Sequence, residues 1–267
     1  MGISLPLVIP HARHVQKSRG EIRGIQRGIQ MNKTNLVALG LLSLSASLAS
    51  SAVFAGGNDD PLLTKVMLDQ FEKGVDPQDP TQFSAQAWLG YDLNKLWLKT
   101  EGEYSNSDKQ DLEIQALYSK PIAPYWDVQF GIKTDIKPTP NRNWAVIGVQ
   151  GLAPYFFDID AALFIGEQGR TAMRLSAEYE LLITQKLILT PEVEVNLFGK
   201  DDAELGIGSG LSDVSAGLRL RYEIVREFAP YIGVDWRQKL GNTADYARSE
   251  GEDTQETQFV IGFSAWF

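Results

Sequence analysis

The chain has 267 residues with 25 basic and 34 acidic side chains and a formal net charge of −9, enough for one barrel or two ordinary domains and too acidic to favour nucleic acid. It has no cysteine, which excludes disulfides, thiolate metal sites and cysteine nucleophiles, and its two histidines, His11 and His14, both precede residue 15. No apolar run of about 18 residues occurs after residue 55, so no helix there is long enough to span a bilayer; a membrane crossing would have to use strands.

Met31 opens a second plausible start. Lys33 supplies a basic n-region, Leu36 to Leu48 an apolar h-region, and Val53 and Ala55 the small residues of a cleavage site. Residues 31–55 therefore read as a signal peptide cleaved after Ala55, and residues 1–30 as an over-called start or leader extension. Residues 56–62 read as a short periplasmic lead-in and 63–267 as the folded part. Residues 1–55 hold six of the basic residues and one of the acids, so the chain after Ala55 is more acidic than the whole.

Beyond that point the hydrophobic period is two, the signature of strands. Twelve candidates occur in chain order. The first covers roughly Leu63–Lys73. The stretch Gln82–Tyr104 gives two more, with Phe83, Ala85, Ala87 and Leu89 on one phase, then Leu96 and Leu98 against Trp97, Lys99, Glu101 and Glu103. Asp111–Ser119 and Tyr125–Lys137 alternate in the same way, whereas Trp144–Gly151 is apolar on both phases. Tyr155–Gly166 sets Phe157, Ile159 and Leu163 against Asp158 and Asp160. The eighth opposes Met173, Leu175 and Tyr179 to Arg174, Glu178 and Glu180; the ninth opposes Val193 and Val195 to Glu192 and Glu194. The last three place Leu218, Ile232 and Phe259 on apolar phases, and the chain ends on Trp266-Phe267.

Connections alternate between short, as at Asp92–Lys95, Lys120–Pro124 and Arg226–Ala229, and long and polar, as at 199–213 and 241–256. The predicted fold is all-β: a transmembrane antiparallel β-barrel of about 12 strands (range 10–14), with short periplasmic turns and longer extracellular loops. The apolar phase is nearly free of charge, as lipid against it requires, at roughly 2–4 kcal/mol per Lys or Arg at the bilayer midplane. Aromatic residues at strand ends, Tyr91, Tyr104, Tyr118, Tyr125, Trp126, Tyr155, Phe156, Phe157 and Tyr231, suit interfacial girdles.

The charged phase would then line a lumen. Glu101, Glu103, Glu178, Glu180, Asp158 and Asp160 are the carboxylate candidates for a metal ion, with Met67, which shares its phase with Lys65 and Asp69. Two readings stand side by side: an internal salt-bridge network that fills a narrow barrel, and a cation path or weak metal site. Loop acids Asp201, Asp202, Glu204, Glu250, Glu252 and Asp253 would concentrate cations at the mouth. No histidine occurs after residue 14 and carboxylate pairs recur on several strands, so no catalytic residue is assigned and the chain reads as a non-enzyme. The Gly206–Gly210 stretch reads as a flexible loop.

Five segments carry a resemblance: GYDLNKLWLKTEGE (90–103), GVQGLAPYF (148–156), AEYELLITQKLILTPEVEVNLFGKDD (177–202), residues 206–248 and the closing GFSAWF (262–267). They resemble the copper resistance protein B family of outer-membrane proteins. The resemblance implies a barrel in the outer membrane of a Gram-negative bacterium, exported through a cleaved signal peptide, with copper ion as a weak or transient ligand. It further implies contact with outer-membrane lipid and with a periplasmic copper-binding protein or multicopper oxidase. Many members carry a Met- and His-rich segment ahead of the barrel. Here the residues after 55 hold only Met67 and Met173 and no His, so ligands that select Cu(I) or Cu(II) are scarce and high-affinity storage is not expected. Passage or weak binding of copper at an acidic lumen is the first expectation. A closed structural or docking barrel, with its REFAPY turn (226–231) as a candidate contact, and a general small-cation channel are the alternatives.

Overall fold

A computed structural model of the protein describes residues 60–76, 79–105 and 110–267. The expected leader, the signal peptide and most of the lead-in lie outside the described residues. Twelve strands run in chain order: β1 (Leu63–Gly74), β2 (Thr81–Tyr91), β3 (Asn94–Tyr104), β4 (Gln110–Ala123), β5 (Trp126–Lys137) and β6 (Arg142–Ala153). Then come β7 (Phe157–Gly166), β8 (Thr171–Tyr179), β9 (Leu187–Phe198), β10 (Gly210–Tyr222), β11 (Phe228–Lys239) and β12 (Gln255–Trp266). Each pairs antiparallel with its sequence neighbours, and β1 pairs with β12, so the sheet closes and no edge remains. Among the described residues one α-helix, α1 (Gly241–Glu250), occurs, between β11 and β12.

Burial is inverted relative to a soluble protein. Glu72, Lys133, Arg219 and Asp235 are buried, whereas Ile132, Ile232, Phe259 and Ile261 are each more than half exposed. A soluble sandwich would bury the apolar phase; here that phase faces lipid, and the polar phase packs inward. The short turns gather at one end with both termini of the barrel chain. Tyr91, Tyr118, Tyr125, Tyr155, Phe156 and Phe157 are exposed around that end, as an interfacial girdle requires. By the usual arrangement this is the periplasmic end, and the longer loops are extracellular.

Tyr231 departs from the girdle expectation. It is buried, and its side chain points into the barrel because it shares the inward phase of Asp235. The first strand also departs from simple alternation. Its register shifts between Leu68 and Gln70 against β2 and between Leu68 and Phe71 against β12. This bulge moves the inward phase from Lys65 and Met67 to Gln70 and Glu72, an outcome an unbroken period of two cannot give. The strand read as apolar on both phases, β6, is so because its inner face also packs. Trp144 and Val146 join Leu117, Phe164 and Ala172 in an apolar cluster inside the barrel.

Two segments expected as loops are ordered. Residues 241–250 form α1, with Thr243, Ala244 and Ala247 buried and Gly251 in the left-handed region at its end (φ 78°). Residues 206–210 pack beneath it: a Cβ on Gly208 would collide with the Thr243 amide nitrogen, and the Gly208 amide donates to Thr243 Oγ1 at 2.8 Å. The REFAPY turn serves the barrel itself. Trp266 Nε1 donates to the Arg226 carbonyl at 2.8 Å, and Ala229 and Tyr231 are buried.

A candidate cation path in the barrel lumen

The lumen holds a cavity of about 970 Å³. Its lining runs from Leu205 and Thr243 beside the long loops to Glu223 and Trp266 at the short-turn end. Six of the seven residues expected from sequence, Met67, Glu101, Glu103, Asp158, Glu178 and Glu180, line it; Asp160 does not, and the seven do not form one cluster.

Four of the carboxylates are paired. Glu101 receives Arg174 Nη1 at 3.1 Å, and Glu103 receives Arg237 Nη1 at 3.3 Å. Asp160 receives Lys99 Nζ at 2.8 Å, and Glu180 bonds to Arg221. Asp158 and Glu178 differ. They stand opposite each other on β7 and β8, and Glu178 in turn stands opposite Glu192 on β9. Among the described residues neither Asp158 nor Glu178 has a hydrogen bond or an ion pair. Like charges directly opposite on neighbouring strands destabilise a sheet. Met67 borders the cavity opposite Gln86 and Trp266.

Two networks hold the rest of the interior. In the first, Glu72 accepts Arg219 Nε and Nη2, both at 2.9 Å, and Tyr231 Oη at 2.9 Å, while Arg219 Nη1 reaches Glu192 at 2.9 Å. Gly262 makes this possible, because a Cβ there would lie 2.7 Å from Tyr231 Cζ and 2.8 Å from Glu72 Cβ. In the second, Arg174 clasps Glu113 through Nη1 and Nη2 at 3.0 and 2.9 Å, and Lys133 Nζ joins Glu113 at 2.6 Å and Asp135 at 3.2 Å. Trp144 Nε1 donates to Asp135 at 2.7 Å, and Lys133 and Arg174 lie over the Phe164 ring at 4.7 and 5.8 Å. Phase alone could have marked Arg219 and Glu113 as inward. It could not mark Glu72, hidden by the bulge, or Tyr231, read as interfacial.

At the loop end Arg142 forks onto Asp202, Nε to Oδ2 at 3.0 Å and Nη2 to Oδ1 at 3.2 Å, and also reaches Glu204 at 2.8 Å. Arg170 Nε lies 3.1 Å from Asp202 Oδ2. Burial pushes the Asp202 carboxyl up, but the Arg142 hydrogen bonds and the Arg142 and Arg170 charges outweigh it and hold the group below the usual carboxylate range. Asp201 is likewise lowered, by the Ser209 amide and the Asn242 side chain. Asp202 is thus buried and anchors the mouth, while Asp201 and Glu204 are exposed and bond to neighbouring loop groups.

Residues 62–267 match the family model described as copper resistance protein B precursor (CopB). The chain belongs to the copper resistance protein B family. It is 43% identical over 211 residues to copper resistance protein B of Escherichia coli, covering 79% of this chain and 71% of that protein. It is 46% identical over 195 residues to the copper resistance protein B homolog of Pseudomonas syringae pv. tomato, covering 71% of this chain and 66% of the relative. Among solved structures it is similar to the NanC porin, with a TM-score of 0.49 and 13% identity over 76% of this chain and 99% of that one. As a member of this family the protein has a role in copper resistance and resides in the outer membrane against lipid. Family and barrel together suggest a non-enzymatic protein.

The donor set tests what copper would meet here. Among the described residues no group of three His, Cys, Asp or Glu side chains is placed to hold a metal ion. Oxygen from carboxylates is abundant, and the one thioether expected at the lumen, Met67, borders the cavity. The residues fit brief contact with a hydrated cation better than resident copper.

Proposed function

We propose that the barrel serves copper resistance by letting copper ions pass through its lumen, held weakly by carboxylate oxygens on the way. The supporting observation is the unpaired Asp158–Glu178 row facing a cavity whose lining reaches both ends of the barrel. Glu101, Glu103, Asp160 and Glu180 belong to the scaffold of this path, since each already has a basic partner. Thr190, buried at the same cavity, has no partner for its hydroxyl oxygen and offers a further neutral ligand. Copper is cargo in this reading, and the scarcity of soft ligands is what lets it leave again.

The closed-barrel reading draws on the many ion pairs inside the lumen. In its docking form the REFAPY turn would present the exposed Arg226, Glu227 and Phe228, while Trp266 and Glu72 hold the Arg226 carbonyl and the Tyr231 hydroxyl from within the chain. Flux separates the two. Purified barrel in liposomes should admit copper with saturable kinetics above empty liposomes, with zinc and potassium measured in parallel. Copper entry no faster than in empty liposomes would favour the closed barrel. Export belongs to the same proposal: mass spectrometry of the outer-membrane protein should find an N-terminus at Gly56, and a retained leader would contradict it.

A further inference from the structure

Four contacts join strands four apart in the barrel order and so run across the lumen. Lys99 on β3 meets Asp160 on β7 at 2.8 Å, and Gln70 on β1 meets Glu192 on β9 at 3.0 Å. Arg237 on β11 meets Glu103 on β3 at 3.3 Å, and Arg174 on β8 meets Glu113 on β4 at 2.9 Å. The last differs in three respects. One guanidinium serves Glu113 twice and Glu101 once, with Glu194 at 3.8 Å, so three carboxylates converge on it. The wall beside it is formed by the buried Phe164 and Trp144 cluster, with Phe198 packed against it and the guanidinium lying over the Phe164 ring. Arg174 also shares its strand and face with Glu178 and lies four residues nearer the loop end. At about 3.3 Å per residue that is some 13 Å along the strand.

We propose that Arg174 is the gate of this lumen. Its guanidinium is a tethered cation occupying the carboxylates of Glu113 and Glu101 in the section between the Asp158–Glu178 row and the loop-end mouth. A cation moving between them must displace it. With the guanidinium seated on them these carboxylates are neutralised and closed to a passing cation, and they open only when the arginine side chain swings aside. The long arginine side chain can do this while β8 stays in the sheet. The inference rests on the passage reading, but its test does not need copper.

The test is conductance of the purified barrel in planar bilayers under a KCl gradient. Arg174→Gln should raise potassium conductance several-fold and shift the reversal potential toward cation selectivity, because Glu113 and Glu101 are then exposed to the passage. Arg237→Gln breaks a different crossing and should raise conductance less. The Arg174→Gln/Glu113→Gln pair, which removes one charge of each sign and leaves the net charge of the lumen unchanged, should raise conductance with a smaller shift in selectivity. It also serves as the reading if the single variant does not assemble, judged by the heat-dependent gel mobility of folded barrels. Wild-type conductance and reversal potential in assembled Arg174 variants would overturn the gate, as would an Arg237→Gln effect as large as that of Arg174→Gln. Should the gate variants conduct potassium while copper flux is absent throughout, the gate stands and the copper path fails.

Discussion

Glu72 and Glu178 are both inward-facing glutamates of one barrel, and they have opposite surroundings. Glu72 is wholly buried and receives three donors from Arg219 and Tyr231, over a floor kept clear by Gly262. Glu178 receives none and stands between Asp158 and Glu192. A lumen carboxylate is thus structural where donors saturate it, and where other carboxylates surround it instead it is the kind of group that the proposed path would use. The contrast lies in the partners, not in residue type or phase.

The contrast breaks most sharply at Glu72. Glu72→Ala should cost about 3–5 kcal/mol of barrel stability, since it leaves Arg219 Nε and Nη2 and the Tyr231 hydroxyl without their buried acceptor, and denaturant unfolding from lipid vesicles would show it. Gly262→Val should approach the same loss, because its side chain would collide with the Tyr231 ring. Tyr231→Phe removes one donor to a charged acceptor and should cost about 1.5–3 kcal/mol in the same measurement. At the other pole, Glu178→Gln with Asp158→Asn removes facing charges and should leave stability unchanged or slightly higher, within about 1 kcal/mol. A loss as large as that of Glu72→Ala would erase the distinction.

The loop end offers the mildest test. The folded-state pKa of Asp202 lies below its ordinary 3.8, so its contribution is present at neutral pH and above 3.8. It fades as the pH falls through the lowered value. Hydrogen exchange at the Ile207 amide, which donates to the Asp202 carbonyl at 3.0 Å, should stay protected from pH 7 to near 4 and lose protection below that. Loss of protection above pH 5 would mean that the Arg142 fork does not hold the loop.

Much of this barrel is legible in the sequence, because lipid forces a strict period of two. Leu96, Leu98 and Ile132 face outward and Trp97, Lys99 and Lys133 inward, as alternation predicts. The misreadings have local causes. The bulge at Leu68–Gln70 shifts the phase and hides Glu72. Tyr231 sits near a strand end, where aromatics usually mark the interface, yet its partner lies 159 residues away. The α1 segment, GNTADYARSE, is polar, and only Ala244 and Ala247 mark its buried face. Which carboxylates are saturated could not be read at all. Arg174 and Glu113 are 61 residues apart, and closure of the sheet alone brings them together.

The most direct test of a copper path along the Asp158–Glu178 row is copper flux through liposomes carrying the Asp158→Asn/Glu178→Gln double variant beside the unaltered barrel. The expected result is an assembled barrel of ordinary stability whose copper flux falls several-fold while its potassium conductance changes little. Copper flux equal to that of the unaltered protein would contradict the path and return the Asp158–Glu178 row to the scaffold.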